Sequence, residues 1–235
     1  MALFAIADLH LGFNVDKPMH VFGQHWLHHE KLLEENWRST VGDADTVLIP
    51  GDISWAMRLH EVVADLRFIE NLPGRKILLR GNHDYWWPSL SKLQGLCEDN
   101  QFFSLRFLKN NGLEVSPDYI ICGTRGWLLP GDSEFRQDDQ KIYKRELGRL
   151  ELSLQAADKM RKQDQQMIVC LHFPPFLRDR QPGEMTALME KFNVDLCVFG
   201  HIHGEQGAAV NRFLLGSVEY QLVAADALGF KPLRL

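Results

Sequence analysis

The sequence predicts a layered α/β fold, and three observations predict it. Short apolar runs of strand character recur along the chain, segments of helical period lie between several of them, and no repeat, low-complexity tract or Pro/Ser linker interrupts the 235 residues. One domain over residues 1–235 is expected, because a chain of this length can bury a full core.

The apolar runs are LFAIA (3–7), TVLIP (46–50), KILLR (76–80), YIICGT (119–124), MIVCL (167–171) and LCVFG (196–200). They are short, partly β-branched and often bounded by Gly or Pro, which favours strand over helix. Leu59, Val62, Val63, Leu66, Ile69 and Leu72 repeat at helical spacing, as do Tyr143, Leu147, Leu150 and Leu154 in a helix expected over about 138–163. In MHVFGQHWLHHEKLLEENW, Trp26, Leu33 and Trp37 form a core-facing stripe that His29 shares, so His29 is expected to pack. That segment, with His20, His25 and His28, follows the first polar block closely enough to cover a crevice there. Residues 126–139 are the longest irregular stretch, and the tail over 208–235 is expected to be strand-rich and antiparallel.

Composition narrows the function classes. A net charge of −5 with 24% charged residues gives no general basic face, which argues against nucleic acid as the main partner. Cys97, Cys122, Cys170 and Cys197 show no CxxC spacing, and reduced, buried thiols are expected. The N-terminal run is interrupted by Asp8 and His10 and lacks a basic start, and no apolar run is long enough to span a bilayer. A cytoplasmic location is the expectation.

The chemistry is concentrated where the strands end. After successive runs come Asp8-Leu9-His10, Gly51-Asp52, Gly81-Asn82-His83-Asp84, His172, and Gly200-His201-Ile202-His203. In an α/β sheet the carboxyl ends of the strands open onto a common crevice. In DxH and HxH, alternate residues of extended chain point the same way, so each motif offers two donors to one centre. Asp8, Asp52, Asn82, His10, His172, His201 and His203 make seven donors, more than one ion takes while keeping an open position, so two ions sharing a carboxylate is the simpler arrangement. Nitrogen and oxygen donors without thiolate suit Mn²⁺, Fe, Zn²⁺, Co²⁺ and Ni²⁺ alike, and manganese is the expected ion. Two divalent cations against two carboxylates leave a positive site in a negative protein, which suits an anion. Paired metals act as a clamp for displacement at phosphorus, with hydroxide as nucleophile.

The ordered blocks DLH (8–10), GD (51–52), GNHD (81–84), LHFPP (171–175) and GHIH (200–203) resemble the calcineurin-like metallophosphoesterases. The resemblance implies a four-layer α/β/β/α sandwich with two mixed sheets. It implies that Asp8, His10 and His203 hold one metal and Asn82, His172 and His201 the other, with Asp52 bridging. It also implies that His83 contacts phosphate and protonates the leaving oxygen. Many members carry a second Asp and then an Arg after the bridging Asp, where this chain has Trp55 and Ala56. His83 therefore lacks that orienting partner, and Arg58, Arg125 and Arg178 are candidate replacements for the phosphate contact. The expected function is hydrolysis of a small phosphomonoester or phosphodiester. A non-catalytic protein-interaction scaffold on the same fold is the alternative, and it predicts lost ligands. Trp86 and Trp87 are expected to pack beneath their loop, and the charges of the 138–163 helix to be a solvated face.

Overall fold

The computed structural model describes residues 1–204, 207 and 212–235. The first sheet contains β1 (Leu3–Ala5), β2 (Thr46–Pro50), β3 (Arg75–Leu79), β4 (Leu105–Leu108) and β11 (Leu233–Arg234), in the order β11-β1-β2-β3-β4. The second contains β5 (Leu113–Glu114), β6 (Tyr119–Thr124), β7 (Gln166–Leu171), β8 (Leu196–Phe199), β9 (Phe213–Leu215) and β10 (Val218–Leu222), in the order β5-β6-β7-β8-β10-β9. Both sheets are mixed. β1 to β4 run parallel with β11 antiparallel at one edge, and β6, β7, β8 and β10 run parallel between antiparallel β5 and β9.

Strand alternation builds the layers. Along β1, Leu3 and Ala5 face the second sheet while Phe4 faces the helices. Along β7, Ile168 and Cys170 face the first sheet while Met167, Val169 and Leu171 meet the helices α4 (Asp139–Met160) and α5 (Glu184–Lys191). A period of two with both faces apolar demands cover on both sides. The helices α1 (His29–Thr40), α2 (Val63–Glu70) and α3 (Leu90–Asn100) cover the first sheet through Leu33, Trp37, Leu66, Ile69 and Leu93, which completes the expected four-layer α/β/β/α sandwich. Each such fully buried side chain contributes about 1.5–3 kcal/mol.

Several expectations shift locally. Leu59 and Val62 precede α2, because Glu61 Oε2 accepts the N–H groups of Met57 and Arg58 at 2.9 and 3.1 Å and holds that stretch as a turn. Trp26 is buried from a 3₁₀ turn (Gln24–Trp26) ahead of α1, while His29, Leu33 and Trp37 form the buried stripe. In the tail, β9 and β10 form an antiparallel hairpin, yet β10 runs parallel to β8; residues 208–211 lie outside the described residues. Strands β4 and β5 were not legible as apolar runs, being short and interrupted by Arg106 and Glu114. The four cysteines are free and buried, and Trp86 and Trp87 are packed in the core. Among the described residues no helix is long and apolar enough to cross a membrane.

Candidate metal centre

Five strand ends deliver the predicted residues to one seam between the sheets. Asp8 and His10 follow β1, Asp52 follows β2, and Asn82 and His83 follow β3; His172 follows β7, and His201 and His203 follow β8. The backbone there is unusual: Asp8, His10, Asp52 and His201 have φ of 59°, 46°, 50° and 72°. Left-handed non-glycine residues cost roughly 1–3 kcal/mol each and persist where the surroundings over-determine them.

The over-determination is visible in the hydrogen bonds. The His201 N–H donates to both Asp8 carboxylate oxygens at 3.2 and 3.0 Å, and the His83 N–H donates to Asp52 Oδ1 at 2.8 Å. Asp8 N–H and His10 N–H donate to the carbonyls of Gly51 and Asp52 at 2.9 and 3.0 Å, tying the first two loops together. A Cβ on Gly81 would stand 2.1 Å from Asp52 Oδ1, and one on Gly200 2.3 Å from Asp8 Oδ2. The glycines of these motifs therefore clear space for the carboxylates themselves.

The donors cluster in two groups. Asp8, His10 and His203 present ligand atoms within 4.8 Å of one another, and so do Asp8, Asp52 and His172. His172 Nδ1 lies 3.0 Å from the Pro50 carbonyl, which only accepts, so Nδ1 carries a proton and Nε2 turns inward. That Nε2 lies 2.6 Å from Asn82 Oδ1 and 3.4 Å from Asp52 Oδ2. His203 Nε2 lies 3.4 Å from His10 Nε2 and 3.6 Å from Asp8 Oδ1. The His201 ring, 5.1 Å from the His172 ring, packs on Phe173.

Electrostatics favour a cation. Asp8 and Asp52 are buried, and among the described residues only histidine rings lie within 4.0 Å ion-pair distance of them. Burial pushes the Asp8 carboxyl up, only partly countered by His172 and His203. Burial also opposes ionisation of Asp52, but His172 beside it holds that carboxyl well below the usual range. Burial lowers His10 and His201 to about 3, which leaves both rings neutral with lone pairs to give. Two buried carboxylates with no lysine or arginine partner among the described residues, set among imidazoles of which His10 and His201 are neutral, fit divalent cations.

The calcineurin-like phosphoesterase profile matches residues 1–205, which include every residue of this cluster. The chain belongs to the calcineurin-like phosphoesterase family. A curated relative, the Gene 66 protein of Mycobacterium phage L5, is 38% identical over 78 residues, 33% of this chain, and the match spans 37% of that protein's length. Among solved structures, phosphopantetheinyl hydrolase (PptH) from Mycobacterium tuberculosis superposes with a TM-score of 0.59 at 15% identity, over 95% of this chain and 88% of that one. TT1561 of Thermus thermophilus gives 0.56 at 12%, over 99% and 97%. At these identities the two structures speak to the fold.

Where the chain departs from many family members, the structure gives the reason. Trp55 stacks on the His10 ring with centroids 4.9 Å apart and 23° between planes, and lies 4.4 Å from the His83 ring. Packing thus constrains His83 in place of a second carboxylate. Asp84 turns away from the donors: its Oδ1 accepts from Ile53 N–H, Ser54 N–H and Trp86 Nε1, and its Oδ2 from Gly81 N–H. Of the arginine candidates for phosphate, Arg125 sits over Trp127 and 3.8 Å from buried Glu146, and Arg58 is exposed next to Met57. Arg178 lines a cavity of about 520 Å³ that reaches His201 and His203, together with the irregular 126–139 stretch.

Two residues escaped sequence reasoning. Asp226 Oδ1 lies 3.0 Å from His203 Nδ1, and its presence could have been suspected from an aspartate following the last long apolar strand. Lys17, 4.6 Å over the Trp55 ring, lies in a loop with no periodic signal.

Proposed function

We propose that the protein is a metal-dependent phosphohydrolase acting on a small phosphomonoester or phosphodiester. The observation that carries this is the pair of buried carboxylates, Asp8 and Asp52, whose ion-pair partners among the described residues are imidazoles alone, at the joined strand ends of two sheets. Asp8, His10 and His203 would hold one divalent ion and Asn82, His172 and His201 a second, with Asp52 shared. The donors suit Mn²⁺, Fe, Zn²⁺, Co²⁺ and Ni²⁺ alike, and manganese is the ion proposed. Bound there, the ions would neutralise charge on phosphoryl oxygens and bring the pKa of a water near neutrality.

The chain's own groups supply the rest. His83 is partly exposed toward solvent, with Nε2 3.9 Å from Asp52 Oδ2, so it can carry a proton at the edge of the cluster and give it to a departing alkoxide. Burial lowers the His83 pKa with Asp52 only partly opposing, and the Trp55 ring packs against it. His203 and His172 are held by Asp226 and Pro50 through Nδ1, leaving Nε2 for ligation. The scaffold alternative predicts missing ligands, and all seven donors and His83 are present. Four free buried thiols accord with a reducing compartment such as the cytoplasm.

The test is Asp52→Asn. Purified wild-type protein is expected to hold two ions per chain and to hydrolyse chromogenic phosphoesters, with activity lost to chelator and restored by Mn²⁺. The variant should lose both metal and turnover while keeping its far-UV circular dichroism. Wild-type turnover in the variant would overturn the shared-ligand assignment, and metal-free wild-type protein that cannot be loaded would overturn the enzyme.

A further inference from the structure

The space in front of His83 is larger and less polar than a phosphoryl group needs. A cavity of about 810 Å³ opens from His10, His83 and His203, and its walls are mainly apolar, with Met19, Phe22, Trp26, Trp55 and Met57 among them. This is within the size range of pockets that enclose whole small molecules. Most of its polar groups lie at two ends, with His25 and Tyr85 between the apolar walls. His10, His83, His203 and Asp226 lie at the cluster, and Asp16 and Lys17 occupy the loop that precedes Met19. The Trp55 indole Nε1–H, a donor that a hydroxyl would need, is already directed at Met19 Sδ at 3.0 Å.

The lip of the cavity repeats the pattern. Phe22, Met57 and Tyr85 all line it and are 57%, 59% and 55% exposed, with Val21 and Leu27 exposed nearby in sequence. A single exposed apolar side chain means little, but several around the mouth of one apolar cavity mark a surface awaiting apolar cover. The second cavity, which shares His203, carries Arg178 and Arg180 instead. The cluster is thus flanked by two cavities, and the arginines line only the second, which Trp127, Phe173 and Phe176 also wall.

Resting on the phosphohydrolase assignment above, we infer that the 810 Å³ cavity receives the leaving alcohol of the substrate, and that this alcohol is a bulky apolar group, an alkyl chain or ring system, rather than a sugar or nucleoside. His83 lines this cavity, so the group that protonates the leaving oxygen faces the space into which the alcohol's body extends. A sugar there would bury hydroxyls against Phe22, Trp26, Trp55 and Met57, which offer no acceptor, and an unpaired buried hydroxyl is costly. An alkyl or aryl body has no such loss and gains from every methylene removed from water.

The experiment uses methyl-, butyl- and octylphosphonate, which cannot be hydrolysed, below their aggregation concentrations. Affinity for the Mn²⁺-loaded protein is read by quenching of tryptophan fluorescence, with Trp26 and Trp55 in the cavity wall as reporters. A fully buried methylene is worth about fourfold in affinity. Octylphosphonate is therefore expected to bind at least about tenfold tighter than methylphosphonate even if only part of its chain is enclosed. The double variant Phe22→Ala, Met57→Ala should reduce that preference several-fold without changing methylphosphonate affinity, and Phe22→Leu with Met57 intact should retain most of it. Equal affinities across the series, or a chain-length preference untouched by the double variant, would overturn the inference. Hydrolysis of methyl and octyl phosphates is measured in parallel with Mn²⁺, Fe²⁺, Zn²⁺, Co²⁺ and Ni²⁺. A chain-length preference in binding without turnover of any ester would sink the phosphohydrolase assignment alone.

Discussion

Asp226 and His203 form a carboxylate–imidazole pair: Asp226 Oδ1 lies 3.0 Å from Nδ1, while Oδ2 accepts the Gly204 N–H at 2.9 Å. One side chain thereby fixes both the ring and the backbone that follows it. Burial opposes the charge on each partner, yet their contact raises the His203 pKa and lowers that of Asp226. A carboxylate behind a ligand histidine sets the tautomer and makes the opposite nitrogen a better donor.

Asp226→Asn is therefore expected to weaken metal binding by about 10–100-fold, with the fold retained. Chelator-competition titration measures this directly. Unchanged affinity would mean that His203 is oriented without Asp226 or does not ligate.

Removing the proposed proton donor should separate chemistry from binding. His83→Gln is expected to lower kcat by about 10²–10⁴-fold on an alkyl phosphate while metal content per chain stays the same. The loss should shrink on a nitrophenyl ester, whose leaving group departs without a proton. Equal losses on both would assign His83 to phosphate binding instead.

Asp84 holds the loops of the site together through four N–H groups, and burial pushes its carboxyl up to about 6. Each buried donor left without a partner costs about 1–3 kcal/mol. Asp84→Ala is thus expected to destabilise the protein by about 3 kcal/mol or more in urea denaturation. A loss below about 1 kcal/mol would show that water replaces the carboxylate.

Lys76 tests stability away from the site. Its side chain is buried, and Nζ donates to the carbonyls of Glu70 at 3.1 Å and Leu72 and to Ser104 Oγ at 3.0 Å. Burial lowers its pKa to about 8, with Glu70 opposing. Between about 8 and the ordinary lysine value near 10.4, the unfolded chain holds more protons than the folded one, so this group's contribution to stability rises with pH. Below that window both states are charged and the contribution is flat. The urea midpoint should therefore rise less, or fall more, from pH 7.5 to 9.5 for Lys76→Met than for the wild type. Parallel shifts in the two proteins would show that the three acceptors hold the ammonium at an ordinary pKa.

The sequence by itself determined the α/β class and the placement of seven donors and His83 at strand ends. Both are local properties: apolar runs such as TVLIP and MIVCL are self-evident strands, and an Asp or His that ends one stands out against them. It also identified the packing roles of His29, Trp86 and Trp87, since their stripes and neighbours are close in sequence. Tertiary structure alone decided what lies behind and in front of the cluster. Asp226 meets His203 because β10 runs beside β8 and carries the chain back to the same edge, a pairing no local pattern announces. Lys17 reaches Trp55, and Asp84 turns from the donors to the backbone, because loops take their conformation from the hydrogen bonds and surfaces they find. Side-chain chemistry is written residue by residue, but enclosure is a property of distant segments brought together, so the cavity beside His83 existed only once the fold was known.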